Sequence, residues 1–180
     1  MRIYLAARYS RREELCGYRS QLEALGHTVT SRWLNGNHQI DDKGLSVEAA
    51  QNERERFATE DFTDVLSAHV LIAFTEQPRS SNSRGGRHVE LGIALGSRRM
   101  AVIVVGPREN VFCCLPSIFV CDRFEECLSV IGSGIQFPPS GLPGMPTIRS
   151  TSGPPLCHET AQNALSRTNA GGVQDDRKSQ

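Results

Sequence analysis

The chain has 180 residues, with 20 Lys+Arg against 20 Asp+Glu, so its formal net charge is zero and the basic surface that general nucleic-acid binding needs is missing. Apolar residues make up 38% and aromatics 6%, and no run approaches the roughly 20 apolar residues that span a bilayer. Residues 1–10 lack the apolar stretch of a secretory leader, so one soluble, cytoplasmic domain is expected.

Arg2–Ala7 is a short apolar run rich in strand formers. Arg11–Leu25 follows with Leu15, Tyr18, Leu22 and Leu25 at helical spacing, and Gly26 is a plausible stop. His27–Leu34 has the β-branched content of a second strand, and 35–46 reads as a polar loop. Val47–Ala68 is a long helical stretch, Val70–Thr75 an apolar strand, Glu76–Gly86 a polar loop and Arg87–Gly96 a short helix. Ala101–Val105 and Ile118–Val120 complete the strands, and Arg123–Val130 is a last helix. Strands alternating with helices imply a parallel sheet with right-handed crossovers. Continuous apolar strands fit a sheet covered on both faces. The expected class is therefore α/β: a flavodoxin-like three-layer sandwich with five parallel strands in the order 2-1-3-4-5.

Composition breaks near Gly132. Residues 132–180 hold seven Gly, six Pro, six Ser and four Thr, against nine Gly and three Pro in residues 1–131. Such a stretch cannot offset its ordering entropy by burial, so 132–180 is expected to be a disordered tail and 1–131 the folded domain. The cysteines Cys16, Cys113, Cys114, Cys121, Cys127 and Cys157 form no C-x-x-C pair and stand at no zinc-finger spacing from a histidine. They read as reduced thiols, several of them buried. No metal and no cofactor is expected, a site built on Cys113, Cys114 and His88 being the alternative.

In this strand order a ligand sits at the switch point, where the loops Arg8–Arg12 and Glu76–Gly86 open. Arg8, Arg11 and Arg12 flank a helix start whose free N–H groups favour anions. They make either a phosphate or carboxylate site or a solvated helix end. The absence of G-x-G-x-x-G and of a P-loop lysine argues against dinucleotide and P-loop chemistry. Gly85 and Gly86 allow the backbone to approach a ligand closely. Glu90 falls in the first turn or so of the next helix, where the dipole favours its ionised form; it reads as a nucleophile or as a capping acid. Phe57, Asp61 and Val65 stand at i, i+4 and i+8, which sets the Asp61 carboxylate beside an apolar stripe and calls for a partner or a ligand. Glu60 and Asp64 read as solvated.

Together these features resemble the nucleoside 2-deoxyribosyltransferase family, which includes deoxynucleoside 5′-monophosphate N-glycosidases. The resemblance runs over about residues 2–131. It rests on I-Y-L-A-A in the first strand, E-D-F-T-D-V-L before V-L-I-A-F, and G-G-R-H-V-E-L-G-I-A-L after it. By that resemblance Glu90 is the nucleophile at the sugar's anomeric carbon, Asp61 the acid that holds sugar hydroxyls, and Tyr4 the tyrosine that positions the nucleophile. Tyr9 takes the place of a pocket aromatic. Asn110, in G-P-R-E-N-V-F, resembles the asparagine that reaches a neighbouring subunit's site, and a homodimer or larger homo-oligomer is implied. Some members carry a base-contacting acid about six residues before the nucleophile; this chain has Arg84 there. Glu76 and His88 are then candidates for protonating the leaving base.

The implied activity is N-glycosidic cleavage or transfer on 2′-deoxynucleosides through a covalent deoxyribosyl–Glu90 intermediate. Its partner is a small-molecule nucleoside or nucleotide, with no nucleic-acid polymer and no membrane. Arg8, Arg11 and Arg12 lean toward one alternative, a deoxynucleoside 5′-monophosphate N-hydrolase. A catalytically inactive nucleotide-sensing module is a further alternative, and the joint presence of Tyr4, Asp61 and Glu90 argues against it.

Overall fold

The computed structural model describes residues 1–36, 38, 40, 46–78 and 85–134. Five strands form one parallel sheet: β1 (Arg2–Ala6), β2 (Thr28–Val29), β3 (Val70–Phe74), β4 (Ala101–Val105) and β5 (Ile118–Cys121). Their order is β2-β1-β3-β4-β5, as the alternation of apolar runs predicts. Four helices accompany them: α1 (Arg12–Ala24), α2 (Val47–Ser67), α3 (Gly86–Ser97) and α4 (Phe124–Gly132). Helix α2 packs against α3. On the other face Tyr18 of α1 stacks on Phe124 of α4 at 4.0 Å and on Phe74 of β3 at 5.3 Å. The sheet is thus the middle of three layers, and every residue of β3 and β4 is buried. Large aliphatic side chains there contribute about 1.5–3 kcal/mol each by leaving water.

The second strand is much shorter than its β-branched content suggests. Only Thr28–Val29 pairs with β1. Past that point Ser31 takes over β1's edge: Leu5 N donates to Ser31 Oγ at 2.7 Å, and the hydroxyl donates back to the Leu5 carbonyl at 3.2 Å. The chain then turns into a 3-10 helix, Arg32–Asn35, and Trp33 Nε1 donates to the same carbonyl at 2.9 Å. Side chains therefore satisfy a strand edge that backbone pairing would otherwise have to cover.

Asp64 is also not where helical spacing puts it. It is 7% exposed, and it accepts Arg32 N at 2.9 Å and Arg32 Nε at 2.8 Å, tying α2 to the segment after β2. Glu60, likewise expected in solvent, brings Oε2 within 3.2 Å of His38 Nε2. Helix α4 runs to Gly132 with Ile131 buried, just past the expected domain boundary. The proposed tail lies, from 135 onward, outside the described residues. No helix among the described residues is long and apolar enough to cross a membrane. Cys16, Cys113, Cys114, Cys121 and Cys127 are free thiols, of which Cys113, Cys121 and Cys127 are buried.

Candidate functional site

A cavity of about 540 Å³ opens at the carboxyl edge of the sheet, beside β1 and the start of α3. Three segments wall it. Arg8, Tyr9 and Ser10 come from the loop after β1, Trp33, His38 and Ile40 from the chain after β2, and Gly86, Arg87 and Glu90 from α3; Asp61 of α2 completes the wall. This is the switch point that the strand order designates.

The entry into α3 depends on Gly85, whose φ of 84° is a left-handed conformation that glycine adopts without strain. From there α3 carries Glu90 onto Tyr4 of β1, a fully buried side chain. Tyr4 Oη donates to Glu90 Oε1 at 3.0 Å. Burial and the neighbouring Glu90 hold the Tyr4 hydroxyl well above its ordinary range, so it remains a donor. Glu90 Oε2 and Asp61 Oδ1 are both buried and accept no hydrogen bond from the described residues.

The expected ionised Glu90 is overturned. Burial pushes its carboxyl up to about 8, the Asp61 charge adds to that, and Tyr4 and Arg87 oppose it only in part. The helix begins at Gly86, which leaves Glu90 in the second turn, beyond the free N–H groups of the first. Asp61 is pushed up to about 6, again by burial first, with Asp64 and Glu60 adding and His38 and Arg32 opposing.

The arginine cluster divides. Arg8 stands on the cavity wall. Arg11 instead holds Glu14, with Nε to Oε2 at 2.7 Å and Nη2 to Oε1 at 2.6 Å, and lies 3.6 Å from Glu76. Its guanidinium also sits over the Phe74 ring. Arg12 Nε donates to the Leu34 carbonyl at 2.9 Å. Tyr9 lines the cavity as the resemblance implies, with its ring 6.1 Å from that of Trp33. Gly86 is on the wall, Gly85 is not, and Arg84 lies outside the described residues.

Asn110 does not reach this cavity. Its Oδ1 accepts Phe112 N at 2.9 Å, capping a 3-10 turn, Val111–Cys114, and its amide lies 3.3 Å from His88 Nδ1. Glu76 and His88, the candidates for protonating a leaving base, are also absent from the wall. Trp33, His38 and Arg87 are on it and were not singled out from the sequence. His38 stacks on Phe57 at 4.4 Å and brings Nε2 within 3.9 Å of Asp61 Oδ1. A usable signal existed: in this strand order the chain after β2 also rises at the carboxyl edge. Among the described residues no group of three or more His, Cys, Asp or Glu side chains is arranged to hold a metal ion.

No family model and no curated protein matches the chain. Among solved structures it is similar to a CMP N-glycosidase, BcmB, of Clostridium botulinum, with a TM-score of 0.46 and 15% identity, over 74% of this chain and all of that one.

Proposed function

We propose that this chain breaks the N-glycosidic bond of a 2′-deoxynucleoside, or transfers its sugar, with Glu90 as the nucleophile. The observation that carries the reading is the Tyr4–Glu90 hydrogen bond, with Glu90 and Asp61 on one cavity wall and each keeping a buried oxygen that accepts no hydrogen bond from the described residues. Breaking such a bond builds positive charge on the sugar, and a carboxylate at the anomeric carbon stabilises that charge and captures the sugar as an ester. Tyr4 fixes which oxygen of Glu90 stays free to attack. Asp61 is placed to hold sugar hydroxyls. Tyr9 and Trp33 offer aromatic faces to a planar base. Water or a second base then attacks the ester.

Arg8 favours a second reading, hydrolysis of a 5′-monophosphate. It is the member of the arginine cluster on the wall, and Gly86 at the start of α3 lies on the same wall. The test is incubation of the purified chain with deoxynucleosides and their monophosphates, with and without an acceptor base, with chromatography of the released base. Mass spectrometry of protein quenched during turnover should find a deoxyribosyl adduct on the peptide containing Glu90. Glu90→Gln should lower base release by several orders of magnitude; near-full turnover in that variant would end the assignment.

A further inference from the structure

Glu76 and His88 stand off the cavity wall, so an acid for the leaving base has to come from the groups that are on it. Arg8 and Arg87 hold their protons too tightly to give one up. Tyr9 and Ser10 offer a phenol and an alcohol, both far weaker acids than an imidazolium. Tyr4 commits its proton to Glu90 Oε1. On the proposed reading Glu90 is the nucleophile and Asp61 holds the sugar. Among the described residues of the wall, His38 is the proton donor that remains.

The surroundings of His38 suit that task. Its side chain is 9% exposed, and its ring stacks on Phe57 of α2 at 4.4 Å. Nδ1 lies 3.4 Å from the Gly36 carbonyl, which can only accept, so Nδ1 keeps its proton and Nε2 is the nitrogen that can exchange one. Gly36 is itself held in place. Its φ of 90° is left-handed, a Cβ there would lie 3.3 Å from Arg12 Nη2, and Arg12 Nε grips the Leu34 carbonyl at 2.9 Å. Nε2 is buried, 3.2 Å from Glu60 Oε2 and 3.9 Å from Asp61 Oδ1, and makes no hydrogen bond with the described residues. Two carboxylates thus flank the nitrogen, and neither is aligned to take its proton.

We propose that His38 is the catalytic residue that protonates the leaving base and then accepts a proton from the water that frees the sugar. This rests on the reading of Glu90 as the nucleophile and supplies the acid that the reading lacks. Trp33, one of the faces offered to the base, belongs to the same segment after β2. In the first step the bond from C1′ to the base nitrogen breaks and its electron pair goes to the base. The Nε2 proton moves onto the base, while Glu90 Oε2, the oxygen that Tyr4 leaves free, closes on C1′ as an ester. In the second step water attacks C1′ and gives its proton to Nε2. The ester bond breaks, and Glu90 leaves as the carboxylate.

The experiment measures base release from 2′-deoxyguanosine against 7-methyl-2′-deoxyguanosine, and from 2′-deoxyuridine against 5-fluoro-2′-deoxyuridine, each also as the 5′-monophosphate. 7-Methylguanine departs neutral without taking a proton, and 5-fluorouracil is a better anionic leaving group than uracil. In whichever pair the chain accepts, His38→Gln should slow the unmodified member about 10²–10⁴-fold and its activated partner at least about tenfold less. Asp61→Asn should slow both members alike. Emission from Trp33, the single tryptophan of the chain, shows in each variant that the wall is intact. Equal losses in folded His38→Gln would make the residue a brace on α2 and overturn the proposal, as would near-full turnover. A selective loss in Asp61→Asn would give the proton to Asp61 and overturn it too. Where neither His38→Gln nor His38→Asn folds, the unsubstituted chain decides. With an acid at work, activation should raise its kcat by less than about a hundredfold, and a larger rise overturns the proposal. Absence of base release from every pair ends the enzymatic reading and this proposal with it, whereas release without selectivity for His38 ends the proposal alone.

Discussion

Replacing Glu90 by Gln should make the protein more stable at neutral pH while abolishing its proposed chemistry. Burial pushes the Glu90 carboxyl up to about 8 in the folded chain, from an ordinary value of 4.5. The native state therefore binds a proton that the unfolded chain has released between those two values. Stability from this group is fully present below 4.5 and is lost as pH rises toward 8. At about 1.4 kcal/mol per pH unit, roughly 3 kcal/mol is gone by pH 7, and about 5 beyond pH 8. A neutral amide escapes that loss, and its carbonyl can still accept from Tyr4. Its new N–H groups need a partner, which takes back about 1–2 kcal/mol. The net expectation is a gain of about 1–2 kcal/mol at pH 7, growing toward pH 8, vanishing between about pH 5 and 6 and reversed below. Urea unfolding of both proteins at pH 5, 6, 7 and 8 measures it. Parallel stability profiles across that range would refute the argument, because they would mean that Glu90 titrates alike in the folded and unfolded chain.

Three further outcomes follow from the same geometry. Asp61→Asn should weaken binding and rate together, and should also move the rising limb of the pH–rate profile to lower pH, since the Asp61 charge helps to keep Glu90 protonated; an unmoved limb would show that the two acids do not interact. Arg8→Ala should raise KM for nucleoside monophosphates about ten- to a hundredfold with little effect on nucleosides, the worth of one charge-assisted contact, whereas Arg11→Ala, whose guanidinium serves Glu14, should not discriminate between them. A chain ending at Gly134 should melt within about 2 °C of the full chain and release base equally well; a larger loss would show that the remaining residues dock.

The fold was legible because its signals are local. The runs Val70–Phe74 and Ala101–Val105 are buried on both faces and read as strands from composition alone. Arg12–Ala24 shows its stripe through Leu15 and Leu22. The second strand failed for the opposite reason. Whether Thr30, Ser31 and their neighbours pair by backbone or by side chain is decided by where Trp33 and Ser31 meet Leu5, 26 to 28 residues away in sequence. The arginines failed likewise: a helix start with three cations looks like one anion site until Glu14, Glu76 and Leu34 are seen to occupy two of them. Asp64 was misread because its partner, Arg32, is brought by a turn that no periodicity announces.

Tyr4, Asp61 and Glu90 do converge, but the protonation of Glu90 came out inverted, and the reason bears on how the site works. A helix dipole acts within a turn and can be read from position; desolvation depends on every element that closes over the group, here β1 beneath and α2 beside it. Burial raises both acids, so two negative charges side by side in this cavity are poorly matched to neutral pH. They are well matched to a sugar that becomes cationic as its bond to the base stretches. On the proposed reading, the free energy that destabilises an ionised Glu90 in the empty cavity is offset when positive charge develops next to it, so the acid interacts more strongly with the transition state than with the bound substrate. The stability gained by Glu90→Gln and the rate lost by it would then have one source, the burial of a carboxylate that Tyr4 and Arg87 offset only in part.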